Sequence, residues 1–104
     1  MKFLVHVKSR IGGALKPQNP LDLMQVAKEW NRARLADGSF ECVYGLAAAR
    51  GGVAIVNAAS HAQLMKLLLS SPMFHYVEYE VQPLCAFDEY WDIHREALLR
   101  TAAK

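Results

Sequence analysis

Pro72-Met-Phe-His-Tyr76-Val-Glu-Tyr-Glu80-Val81-Gln-Pro-Leu84-Cys85 is the stretch whose reading decides the fold. Just before it, Leu64, Met65, Leu67, Leu68 and Leu69 form an apolar helical segment that Ser60 can cap. Pro72 stops this helix near Ser71, because the residue before a proline is driven out of the α region. Phe74 to Val81 then reads as a last strand, with Val77, Tyr79 and Val81 alternating against Glu78 and Glu80.

The same logic extends in both directions. Residues 2–10 alternate Phe3/Val5/Val7 with Leu4/His6/Lys8, the period of a strand. A Gly- and Pro-rich loop follows, and residues 21–36 read as a helix. Leu23, Val26, Ala27, Trp30, Ala33 and Arg34 share one of its faces, Asn19 and Pro20 suit its start, and Gly38 suits its end. Phe40 to Ala48 is strand-like, with Phe40, Cys42, Tyr44 and Leu46 on one side. Arg50-Gly51-Gly52 signals a turn, and Val53 to Ala58 returns as the hairpin partner. Asp88 opens a tail helix over 88–101.

This order predicts an α+β fold: a ferredoxin-like βαββαβ sandwich over residues 1–104, with core 2–85 and the C-terminal helix as a tail. Two helices cover only one face of four strands. Yet both sides of the second and third strands are apolar, through Val43, Val53, Ala54, Ile55 and Val56 as well as Phe40 and Tyr44. At about 25 cal/mol per Å², several hundred Å² of bare sheet is costly to leave in water. The expected cover is a second copy, giving a homo-oligomer of the dimeric α/β barrel type.

Composition narrows the function classes. The 53% hydrophobic share exceeds the usual 45–50%, which agrees with surface that a partner covers. A formal charge of +2, with Lys and Arg dispersed along the chain, gives no footprint for nucleic acid. No apolar run reaches the ~18 residues of a membrane span, and charge interrupts the N-terminal segment as it would not in a secretory signal. Cys42 and Cys85 make no metal-ligand or redox spacing and read as small buried hydrophobes. The expected compartment is the cytoplasm.

The chain resembles the muconolactone isomerase family from about residue 3 to 85. His6-Val7-Lys8 looks like the family's first-strand His-Val-Lys. Lys28 and Glu29 match a charged helical pair, and Gly38-Ser39-Phe40 matches the start of the second strand. Pro72, Phe74, Tyr76, Glu80, Val81, Leu84 and Cys85 match the closing strand. The resemblance implies a small oligomeric enzyme that moves a carbon–carbon double bond in a lactone. It also implies an acidic residue on the buried face of the first helix, where this chain has Ala27, and a different hairpin where it has Ala49-Arg50-Gly51-Gly52.

Such a shift needs a base, donors for a dienolate and a cation for a carboxylate, with no metal or organic cofactor. His6 is the remaining candidate base, since imidazole titrates near neutrality, and Lys8 on the same strand face is a candidate anion clamp. Arg34 is a second clamp, Trp30 an aromatic pocket wall, and Tyr44 and Tyr76 candidate enolate donors. Each also has a structural reading: a sheet-bonded imidazole, a solvated lysine, a snorkelling arginine, or core rings. Glu78 and Glu80 share a face as an acid/base pair or as partners for a neighbour's cations. The expected function is cofactor-free isomerisation of a small lactone or anionic metabolite in aromatic catabolism or secondary metabolism. The alternatives are a catalytically degenerate small-molecule-binding or assembly protein and a cofactor-free monooxygenase on the same scaffold.

Overall fold

The computed structural model describes residues 1–102, so the last two residues of the 1–104 span lie outside the described residues. The elements are β1 (Lys2–Ser9), α1 (Pro20–Asp37), β2 (Phe40–Gly45), β3 (Gly51–Asn57), α2 (His61–Leu69), a 3-10 turn (Phe74–Tyr76), β4 (Val77–Leu84) and α3 (Phe87–Ala102). The sheet is antiparallel throughout, in the order β2-β3-β1-β4. This is the α+β architecture expected from the sequence.

Local chemistry sets the helix ends. The Asn19 side chain accepts a hydrogen bond from the Asp22 N–H, and Ser60 does the same for Gln63. Gly38 ends α1 at φ 83°, a left-handed conformation that a side chain disfavours. The Phe74–Tyr76 segment, expected as strand, is instead a tight turn whose last carbonyl accepts from Arg10 N. That bond fixes the entry to β4 against the end of β1.

In the register, Phe3, Val5 and Val7 face α1 and α2, together with Val56, Ala54 and Gly52 of β3. Phe3, Val5, Phe40, Ala54, Val56, Ala58 and Leu64 form the core, with Trp30, Val43, Leu67, Leu68 and Tyr79 packed against it. Leu4, His6 and Lys8 face the open side, opposite Ile55, Val53 and Gly51.

Three expectations need correction. A bulge at Glu41 breaks the alternation of β2, so Phe40 and Val43 face the helices while Cys42 and Tyr44 pair with Ile55 and Val53 on the open side. On α1, Val26 and Ala33 are exposed, and the inward stripe is Leu23, Ala27, Trp30, Asn31 and Arg34. Asn31 can face inward because its amide donates to the Ala27 carbonyl at 2.9 Å. Cys85 is exposed rather than buried, because α3 carries the chain away from the sheet immediately beyond it.

Gly51 and Gly52 lie within β3 rather than in the turn. A Cβ on Gly51 would collide with the Val7 carbonyl oxygen, and one on Gly52 would stand 2.8 Å from that of Tyr44. The sheet closes at this corner only because both side chains are absent. Gly51→Ala should therefore lower stability by at least ~2 kcal/mol in urea unfolding, since backbone must move to admit a methyl group. An unchanged midpoint would contradict the close approach.

The open face leaves Tyr44 67% exposed and Val53 and Ile55 half-buried with no layer over them. The protein should therefore run above its 11.6 kDa mass in light scattering at micromolar concentration. Ile55→Arg should reduce that mass, and a monomeric wild type would contradict this reading of the sheet.

Candidate functional site

The helix side of the sheet holds a cavity of about 630 Å³. Its floor is the corner where β1 ends and β3 begins, from Val5 and Val7 to Gly51 and Gly52. Met24, Trp30 and Asn31 of α1 form one wall, and Leu68, Ser71, Met73 and Tyr79 form the other. The two glycines that permit close strand packing thus also leave room in the floor. Trp30 is held edge-on against Phe40, ring centroids 5.5 Å apart, so its indole is a fixed wall.

Polar groups in this lining are few and neutral apart from Arg50. The Tyr79 hydroxyl donates to the Leu68 carbonyl at 3.4 Å, and its ring stacks on Phe74. Burial pushes the Tyr79 phenol above its ordinary pKa, and a hydrogen bond with Ser71 partly offsets this. Ser9 and Ser71 accept through their oxygens from the Ile11 and Met73 N–H groups, which leaves the Ser9 hydroxyl proton available, while that of Ser71 serves Tyr79. Asn31 uses its amide N–H on Ala27, which leaves its carbonyl oxygen as an acceptor. No carboxylate or imidazole lines this cavity among the described residues.

A second cleft of about 360 Å³ lies on the other side of the sheet, and there the chemistry is charged. It brings together His6, Lys8, Arg50, Glu78 and Glu80. The register sets His6 opposite Glu80 and Lys8 opposite Glu78, which aligns the side chains without placing either pair in salt-bridge contact.

The six residues singled out from sequence are thus dispersed. Trp30 lines the helix-side cavity, Tyr44 borders it although its register with Val53 puts its side chain on the open face, and His6 and Lys8 line the open-side cleft. Tyr76 lies in the 3-10 turn and lines neither. Arg34 also lines neither. Its guanidinium rests 5.4 Å from the Trp30 ring centroid, and its Nε is 3.1 Å from Asp37 Oδ2. That contact lacks hydrogen-bond alignment, so Nε stays buried and unsatisfied. Asp37 is held below the ordinary carboxylate range chiefly by hydrogen bonds from Ser39, with Arg34 a minor contributor. The residues that sequence reasoning missed are Tyr79, Asn31 and Arg50. For Tyr79 the signal was present, since alternation with Glu78 and Glu80 sends it to the helix side with Val77 and Val81.

Among the described residues no group of three His, Cys, Asp or Glu side chains is placed to hold a metal ion. No helix among them is long and apolar enough to cross a membrane.

Comparison with known proteins places this geometry in context. The chain is similar to a crystal structure of muconolactone isomerase, with 22% identity and TM-score 0.74 over 83% of this chain and 90% of that one. It is also similar to the 5-chloro-2-hydroxyhydroquinone dehydrochlorinase of Burkholderia phenoliruptrix, solved in complex with 2,5-dihydroxybenzoquinone. There the identity is 17% and the TM-score 0.55, over 86% of this chain and 98% of the other. At these identities the likeness is one of fold. No curated protein matches the sequence. The family model of muconolactone delta-isomerase matches residues 1–89, from the first strand into α3, and the chain belongs to that family.

Proposed function

We propose that this protein binds a small oxygenated ring, of lactone or hydroxyquinone size, in the helix-side cavity, with the Tyr79 hydroxyl turning its one proton from the Leu68 carbonyl, 3.4 Å away, to the ring oxygen. The observation that carries this reading is the cavity itself: about 630 Å³, lined by Trp30, Met24 and Val5, with neutral hydroxyls at Tyr79, Ser71 and Ser9. That size falls in the ~300–1,000 Å³ range of small-molecule sites. An apolar wall takes the ring, and the phenol and hydroxyl take an enol, carbonyl or phenolic oxygen. Arg50 supplies a cation for a carboxylate substituent. Family membership and a structural relative that holds a dihydroxybenzoquinone support this class of ligand. Two free cysteines, one exposed, fit a reducing compartment such as the cytoplasm.

Muconolactone isomerisation asks for more than binding. A base must take a proton beside the conjugated system and return it elsewhere on the ring. The first helix presents Ala27 at the position where the family resemblance implies an acid, and the cavity wall offers no substitute. Binding without muconolactone turnover is the activity this arrangement supports.

A second reading rests on the open-side cleft, where His6 stands opposite Glu80 beside Lys8 and Arg50. In that reading His6 transfers the proton and Lys8 grips the substrate anion, and the protein is a cofactor-free isomerase. His6→Ala separates the two, because it leaves binding intact in the first and removes turnover in the second.

Calorimetric titration with 2,5-dihydroxybenzoquinone should show saturable binding that Tyr79→Phe weakens about 5-fold, the worth of one hydrogen bond of ~1 kcal/mol. Muconolactone followed by ultraviolet absorbance should remain unconverted by the wild type. Robust conversion, or binding that ignores Tyr79, would overturn the first reading.

The same phenol gives a pH signature. The folded protein holds the Tyr79 proton more tightly than the unfolded chain does. Its contribution is therefore full below the ordinary tyrosine value of about 10 and is lost as pH rises through the raised folded value. Ultraviolet titration should show one late-ionising tyrosine that disappears in Tyr79→Phe.

A further inference from the structure

A 16-residue helix, α3, leaves the sheet without packing on it. All of its described side chains are exposed, and its large apolar residues (Phe87, Tyr90, Trp91, Ile93, Leu98 and Leu99) are between 47% and 74% exposed. The radius of gyration is 17.7 Å, against about 13 Å for a compact domain of this size, and the longest dimension is 63 Å. The family model stops at residue 89, so α3 lies almost wholly outside the matched segment.

A groove of matching character lies elsewhere on the domain. Between α2 and the helix side of β4 runs an apolar depression of about 710 Å³, lined by residues that include Met65, Leu69, Val81, Pro83 and Phe3. Met65 is 60% and Leu69 50% exposed there. β4 is an edge strand, so the helix layer beside α2 ends at this groove. Helices pack ~8–10 Å apart, and one more helix completes the layer.

We propose that α3 of each copy docks in the groove between α2 and β4 of a second copy. The connection decides between a second copy and self-docking. β4 runs to Leu84, and the Ala86 carbonyl already accepts the helical bond from Tyr90 N at 2.9 Å. Cys85 and Ala86 alone separate β4 from α3, the short end of the ~2–3 residues that tight strand-to-helix connections use. The helix leaves the sheet with none of its side chains buried against its own domain, and a short hinge of this kind favours exchange between protomers over self-docking. With roughly 200 Å² per large side chain, the exposures above leave on the order of 700 Å² of α3 for a partner. Two reciprocal dockings, counting helix and groove, reach the ~1,600 Å² of a standard interface.

The docking also bears on the cavity. Tyr79 lines both the cavity and the groove, so a docked α3 covers the outer side of the wall from which the phenol donates. The partner's helix then completes the site rather than merely joining two copies.

The test is a photocrosslinker, p-benzoylphenylalanine, in place of Trp91 in the full-length protein, with isotopically heavy and light chains mixed after reversible unfolding. Mass spectrometry should find crosslinks between heavy and light chains, landing within residues 61–83. Crosslinks confined to single chains, or landing on Leu4, Val53 or Ile55 of the open sheet face, would overturn the proposal. In parallel, Trp91→Glu and Met65→Glu should each lower the mass seen by light scattering while the far-ultraviolet dichroism per chain is kept, since both positions are exposed. Wild-type mass in both variants would also overturn it.

Discussion

Every side chain on β1 must point to one side of the sheet or the other, and β1 is flanked by strands on both edges, so neither of its faces can be traded for a sheet edge. Phe3, Val5 and Val7 go to the helices, and Leu4, His6 and Lys8 go to the open side. The strands beside it inherit this division through the register. Val81 and Tyr79 fall with Val5 and Val7, whereas Glu80 and Glu78 fall with His6 and Lys8. A single period-two alternation therefore creates both the apolar cavity and the charged cleft, and a one-residue slip would exchange them.

That division is supported by little buried mass. Among the described residues the core is small, and Val5 and Val56 are the only large side chains fully out of water. Small residues carry much of the rest: Ala27, Ala54 and Ala58 are buried, and Gly51 and Gly52 hold the strand corner. Small side chains let backbones approach closely but remove little apolar surface from water. The remaining apolar surface is distributed over the open sheet face, the groove beside α2, and α3. Two helices on a four-stranded sheet cannot cover all of it, which is the physical ground for expecting further chains there.

The element order was legible in the sequence because helix caps and proline stops act locally. Asn19, Gly38, Ser60 and Pro72 each do where they stand what their chemistry implies. The bulge at Glu41 was not legible, since nothing in Phe40-Glu41-Cys42-Val43 announces an extra residue, and the alternation read through it put Cys42 and Tyr44 on the wrong face. Gly51 and Gly52 carried a turn signal, but the need they serve is a carbonyl on another strand. The candidate site suffered most from this kind of distance. His6 and Trp30 are compatible roles on paper, yet the sheet lies between them. Arg34 shares the helical stripe of Trp30 and still misses the cavity, because its guanidinium turns back over the indole. Alternation alone did put His6 and Lys8 on one face, and the same alternation in β4 sends Tyr79 to the other.

The contrast between the two faces also constrains the chemistry each can do. A mostly apolar cavity penalises any group that must carry charge, so apart from Arg50 the polar groups in its lining are neutral donors and acceptors. Tyr79, Ser71, Ser9 and Asn31 fit that rule, and the raised Tyr79 pKa is the same penalty seen in titration. A proton-abstracting carboxylate in this wall would be pushed toward its neutral form by the same burial, which suits a base working near neutrality only if partners restore its charge. With alanine at position 27 there is no carboxylate on that helix face, and the hairpin after β2 brings only Arg50 as a charged group to the cavity. On the open side charge is tolerated because water reaches it, and there the imidazole, the ammonium and the two carboxylates assemble. In this chain the apolar cavity and the cluster of titratable side chains lie on different faces. Enclosure and proton transfer can act on one molecule only if a further chain brings the needed groups to the same side.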